Sequence, residues 1–97
     1  MNISFSKSAI DDLKSIKEYY LEQGVPQIGQ DFVVAIVEHI EMLATHPSVG
    51  RVVPEFDDDT IREFIHSPFR VVYLRESESI NIIRVWRSER LLKLPEN

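Results

Sequence analysis

Cysteine is missing altogether, and glycine occurs only three times in 97 residues. Without Cys, disulfide staples, thiolate metal sites and a cysteine nucleophile are all excluded. No apolar run approaches the length of a membrane span. The first twelve residues, MNISFSKSAIDD, show no basic segment leading into an apolar one, so no secretory signal is expected. Phosphate-loop, zinc-spacing, nucleophile-elbow and dinucleotide fingerprints are absent as well. What remains is an ordinary globular composition, 43% apolar and 28% charged. It predicts one domain over residues 1–97, soluble and cytoplasmic, with no membrane association.

The net charge of −5 hides a split. Residues 1–60 carry four Lys and Arg against eleven Asp and Glu, a net of −7. Residues 61–97 carry seven against five, a net of +2, and six of the seven are Arg. An acidic first half argues against coating nucleic acid by charge, which needs a basic face, and no direct sequence-specific nucleic-acid contact is expected. The Arg-rich second half suits a local carboxylate-bearing partner.

Hydrophobic periodicity divides the chain at about residue 60. Residues 2–6 alternate, with Ile3 and Phe5 on one face, and predict a short strand. Ser8 stands three before Asp11 in a capping-box arrangement, and Asp11 and Asp12 suit the positive end of a helix dipole. Ala9, Leu13, Ile16 and Tyr20 then form the stripe of a helix over 8–23, ended by Gly24. Pro26 suits a first helical position, and Ile28, Phe32, Ala35, Ile36, Ile40 and Leu43 continue a second helix to His46. So short a connection folds the two helices back as an antiparallel hairpin. Residues 47–59 read as a loop with an acidic tip, Asp57 to Asp59, which lacks the oxygen spacing of a calcium site. Beyond it the period drops to 2, predicting antiparallel strands over 60–65, 69–75 and 79–86. The fold class is therefore α+β: an N-terminal strand and an antiparallel two-helix hairpin packed on one face of a small antiparallel sheet. Leu13, Ile16, Phe32, Ile36, Ile40, Val71, Tyr73 and Ile82 are expected in its core, and core packing is the default for Tyr19 and Tyr20 too.

The ordered fragments Ala9-x-x-Asp12-Leu13-x-x-Ile16-x-x-Tyr19-Tyr20, Pro47-x-x-Gly50-Arg51-x-x-Pro54-Glu55, Ile61-Arg62-Glu63, Phe69-Arg70-Val71-Val72-Tyr73 and Ile82-Ile83-Arg84-Val85-Trp86 span essentially the whole chain. Together they resemble the RelE/ParE superfamily of bacterial toxins from type II toxin–antitoxin modules. The long helical hairpin and the Pro-x-x-Gly-Arg loop look closer to the ParE branch. The resemblance implies a toxin made beside a cognate antitoxin, whose flexible C-terminal segment lies across it and masks it in a hetero-oligomer. A ParE-like chain would poison DNA gyrase without catalytic chemistry of its own; a RelE-like chain would cleave mRNA in the ribosome, with neither metal nor cofactor. A third reading is a degenerate member that only binds its antitoxin.

Metal-free RNA cleavage needs a base for the 2′-hydroxyl, cations for the phosphorane and an acid for the leaving oxygen. In the ribonuclease branch, the resemblance implies, these come from basic residues on the sheet plus a Tyr or His near the C-terminus. Arg62 and Arg70 match two sheet positions, and Arg84, Arg87 and Arg90 fall on or just beyond the last strand. Residues 91–97, Leu-Leu-Lys-Leu-Pro-Glu-Asn, hold neither Tyr nor His, and an isoelectric point near 5.1 is wrong for a ribosome-directed nuclease. His39, His46 and His66 read as surface or capping residues. No catalytic residue is thus identified, and no metal or cofactor is expected. Arg62, Arg70, Arg84, Trp86, Arg87 and Arg90 are the candidate partner-binding residues, since bidentate Arg suits the carboxylates of an antitoxin. A purely structural use, cross-strand pairing of Arg62–Glu63 and of Arg70 and Arg84 on the exposed sheet face, stands beside it. Trp86 fits a packed aromatic, and Leu91, Leu92 and Leu94 an apolar tail that packs back or is covered by the partner.

Overall fold

A computed structural model describes residues 1–87. Arg90 and the Leu91, Leu92 and Leu94 tail lie outside the described residues. The chain begins with β1 (Asn2–Phe5) and a two-helix hairpin, α1 (Lys7–Glu22) and α2 (Pro26–Glu41), extended by one 3-10 turn at Met42–Ala44. Four strands follow: β2 (Arg51–Val52), β3 (Ile61–His66), β4 (Phe69–Arg75) and β5 (Ser79–Arg87). The N-cap of α1 is Ser6 rather than Ser8: its side chain accepts the Ala9 N–H at 3.0 Å and donates to the Ile83 carbonyl at 2.8 Å. One hydroxyl thus starts the helix and ties it to β5. Asp11 falls beyond the first turn and pairs with Lys7, four residues earlier. Gly24 takes φ +79°, the left-handed turn that lets the hairpin reverse within three residues.

The sheet order is β1-β5-β4-β3-β2. The expected β3–β4–β5 meander forms, with Phe64 opposite Val71 and Val71 opposite Val85. Two features depart from an all-antiparallel sheet. The first strand pairs with the last in parallel, Ile3 opposite Ile80 and Phe5 opposite Ile82, so the sheet is mixed. Arg51–Val52, inside the expected loop, adds a short edge strand against Arg62 and Glu63. Both come from long-range pairing, which residue alternation does not encode.

Both helices pack on one face. Ala9, Ile16, Ile36, Ile40 and Leu43 meet Phe69, Val71, Tyr73, Ile80, Ile82 and Val85 in the core. Each fully buried Ile there contributes about 1.5–3 kcal/mol of transfer free energy. Of the expected core, Leu13 and Phe32 are half-buried at its margin. Tyr19 is 51% exposed and Ile28 45%, so the outer end of the hairpin turns away from the sheet. Among the described residues, no helix is long and apolar enough to cross a membrane.

Candidate functional site

The arginines expected to act together separate into two places. The first is an ion-pair network between the sheet and the loop before it. Strand register puts Glu63 and Arg70 on the sheet face away from the helices, next to Val72 and Ile65. The Glu63 side chain is fully buried, and Arg70 Nε donates to its Oε1. Arg51 Nε donates to the other oxygen, Oε2, at 2.6 Å. Arg70 turns its terminal nitrogens to Glu55, at 3.2–3.4 Å. A carboxylate so deeply buried is tolerable only when paired, and here two guanidinium groups pair it. The Arg70 hydrogen bond holds the Glu55 carboxyl below the usual carboxylate range, helped by its own backbone.

The same loop is clamped from the helix side. Tyr73 Oη accepts the Gly50 N–H and donates to the Pro47 carbonyl, both at 3.0 Å, while Arg62 Nη1 donates to the Gly50 carbonyl at 2.9 Å. Burial pushes the Tyr73 phenol up, so it stays a neutral donor. A Cβ on Gly50 would sit 2.6 Å from both Tyr73 Oη and the Glu63 carbonyl. The spacing Pro47-x-x-Gly50-Arg51 is therefore explained locally: a carbonyl for Tyr73, a residue without a side chain, and a cation for Glu63. Arg62 and Glu63 point to opposite faces, so they do not form the expected pair.

The second place is the open edge of β5. Its partner β1 ends at Phe5, opposite Ile82. A register shift follows, with Val72 opposite Arg84 and Tyr73 opposite Ile82, so that Ile83 is an extra residue. Asp12 of α1 takes over the edge: its Oδ2 accepts the Val85 N–H at 2.8 Å, and both its oxygens accept from Arg84, at 2.8 and 3.0 Å. This bidentate pair pushes the Arg84 pKa up. The guanidinium also lies 4.7 Å from the centre of the Trp86 ring, and Arg87 lies 5.6 Å from that of Phe69. Between α1 and this edge opens a cavity of about 370 Å³, lined by Asp12, Ile16, Tyr19, Tyr20 and Phe69 together with Arg84, Trp86 and Arg87.

Of the six residues expected to bind a partner, the structure brings Arg84, Trp86 and Arg87 together at this cavity. Arg70 and Arg62 are held elsewhere by internal partners, and Arg90 lies outside the described residues. Sequence reasoning missed Asp12 as an edge cap, Tyr19 as an exposed ring, and Glu63 as a buried anion. A signal for Glu63 existed: in Ile61–Ile65 it takes the alternate position shared with two isoleucines. The acidic tip is a turn, in which Asp58 accepts from the Thr60 N–H and hydroxyl. No group of three His, Asp or Glu among the described residues gathers to hold a metal ion.

The model of the family described as ParE toxin of type II toxin-antitoxin system, parDE, matches residues 3–92. The chain belongs to this family of toxins. Its fold is also similar to a solved chain of the chromosomal ParDE toxin–antitoxin system from P. aeruginosa, with a TM-score of 0.72 and 23% identity, covering 90% of this chain and 95% of that one. No curated protein matches the chain.

Proposed function

We propose that this ParE-family toxin arrests growth in the cytoplasm by binding a protein target, DNA gyrase, and that a cognate antitoxin neutralises it by covering the β5 edge. The observation that carries this reading is the engagement of the sheet arginines. Phosphoryl chemistry on RNA needs cations converging on one point where a phosphorane forms. Here Arg62 donates to the Gly50 carbonyl, Arg70 bridges Glu63 and Glu55, and Arg84 grips Asp12. The Arg84–Trp86–Arg87 cavity offers instead what protein interfaces use, aromatic and Arg anchors around a partly apolar depression. A protein target requires neither cofactor nor metal from the chain.

The decisive experiment uses purified, antitoxin-free protein in two assays, gyrase supercoiling and ribosome-dependent mRNA cleavage. Inhibition of supercoiling without cleavage is expected. Codon-position cuts made by the wild type and lost in Glu55→Gln would overturn the reading. One observation favours that second, nuclease reading: the Glu55 carboxylate lies against Arg70, a base beside a cation. Absence of both activities, with antitoxin binding retained, would mark a degenerate member.

A further inference from the structure

His39 of α2 and His66 of β3 approach each other with Nδ1 facing Nδ1 at 2.9 Å. The ring centres are 5.2 Å apart. The difference between the two separations is about twice the radius of a five-membered ring, so both Nδ1 atoms lie close to the line joining the ring centres. Lone pairs that share a metal ion converge on a point off that line. Collinear nitrogens are the geometry of a single N–H···N hydrogen bond, with one ring as donor and the other as acceptor.

We propose that His39 and His66 form a one-proton latch between α2 and β3, which survives the first protonation of the pair and is broken by the second. Starting from two neutral rings, the donor still has a free Nε2. The first added proton goes there and leaves the N–H···N bond in place, now charge-assisted. The second proton has only the acceptor's Nδ1 left to take. Two N–H groups would then face each other across 2.9 Å, and the rings must part. Burial, and then the nearby His66, both push His39 below the ordinary imidazole value, and on that ground His39 is assigned the acceptor's part in the latch.

The surroundings favour this order. His39 packs against Phe64, with ring centres 4.2 Å apart and planes tilted by 47°, and that contact offers no counter-charge. His66 lines a small cavity with Asp31 of α2, whose carboxylate already accepts from Gln27. Across the β3–β4 ladder His66 faces Phe69, over which Arg87 lies. Glu38, next to His39 in the chain, is exposed. Because the folded state disfavours the charged form of His39, the latch's stabilisation is present above about pH 6.5 and is lost as pH falls through the lowered His39 value.

The test is an NMR titration of the imidazole nitrogens and Cε1 protons in the intact chain. His39 should remain a neutral Nδ1 acceptor at a pH where a free imidazole is half charged. In His66→Gln, where the neighbouring charge is gone, its midpoint should rise. The thermal midpoint of the wild type should also drop more steeply from about pH 7 to about pH 5 than that of His39→Gln, which does not titrate there. A His39 that titrates at the ordinary value in the wild type, or whose Nδ1 and the Nδ1 of His66 are both protonated at neutral pH, overturns the latch. Those wild-type observations decide the matter even where a variant does not fold.

Discussion

Arg70 and Arg84 stand on adjacent strands of one sheet, yet they meet different physics. Arg70 has 7% of its side chain exposed and faces a Glu63 with none; Arg84 keeps 37% exposed and grips a carboxylate from another layer. At Arg70 the dominant quantity is the cost of leaving a buried charge alone. At Arg84 it is the geometry of an unfinished edge, where one carboxylate caps both a backbone N–H and a guanidinium. A cation buried among internal carboxylates serves the fold. One at the lip of an aromatic-lined cavity can exchange its partner for another without unfolding anything, and this is why the partner surface is proposed at Arg84.

The sharpest way to break that contrast is Arg70→Met. It leaves Glu63 buried with Arg51 alone, and a loss of about 3–5 kcal/mol is expected in chemical denaturation. The double variant Arg70→Met, Glu63→Leu should recover most of it, since it removes both charges and keeps the volume. A single-variant loss within about 0.5 kcal/mol, the range of surface changes, would show that Arg70 is no more structural than Arg84. Next in size is Gly50→Ala. Its Cβ would press on the Glu63 backbone and on Tyr73 Oη, so overpacking of about 1–3 kcal/mol is expected, again read by denaturation.

At the edge the effects should be smaller in stability and larger in binding. Asp12→Asn keeps an oxygen for the Val85 N–H but loses the paired charge, and about 1 kcal/mol of stability is expected to go with it. Binding to the antitoxin, measured by calorimetry, should weaken more in Trp86→Ala and in Tyr19→Glu than in Phe56→Glu, whose ring is exposed on the loop instead. Equal losses at all three positions would mean that the cavity is not the docking surface.

The same contrast explains what could be read from residues alone. The helices and the meander repeat locally, so Ile16, Ile36, Ile40, Val71 and Ile82 were placed correctly by period. Alternation also carried a signal for Glu63, which shares its face with Ile61 and Ile65, but not that the residue is buried and paired there. It says nothing about which strand lies beside which. The parallel β1–β5 pair and the Arg51–Val52 edge strand both depend on contacts far along the chain, as does the Asp12–Arg84 grip, 72 residues apart. The candidate site was half legible for this reason. Arg84, Trp86 and Arg87 share a strand end, while Asp12 and Tyr19 arrive from α1 by tertiary packing alone. Local composition also could not tell that Arg70 was already taken, because Glu55 reaches it from a loop.

Glu55 offers the smallest stability effect and the finest discrimination. Its pairing with Arg70 lowers its pKa from the ordinary 4.5, so the stabilisation it gives is present above that value and fades as pH falls below it. The side chain is 57% exposed, and solvent screening keeps the contribution small. Glu55→Gln should therefore shift stability by no more than about 0.5 kcal/mol and flatten the acid limb of the unfolding profile slightly. Because the fold is left intact, the variant isolates chemistry. A general base contributes about 10²- to 10⁴-fold to a rate, so a nuclease would lose most of its growth arrest with this single substitution. A toxin that acts by occupying a protein through its β5 edge should arrest growth as before, since Glu55 sits on the loop side of the sheet, against Arg70 rather than among the residues that line the edge cavity. Growth curves of cells expressing the two proteins at equal levels separate these outcomes, and preserved arrest is the result expected here.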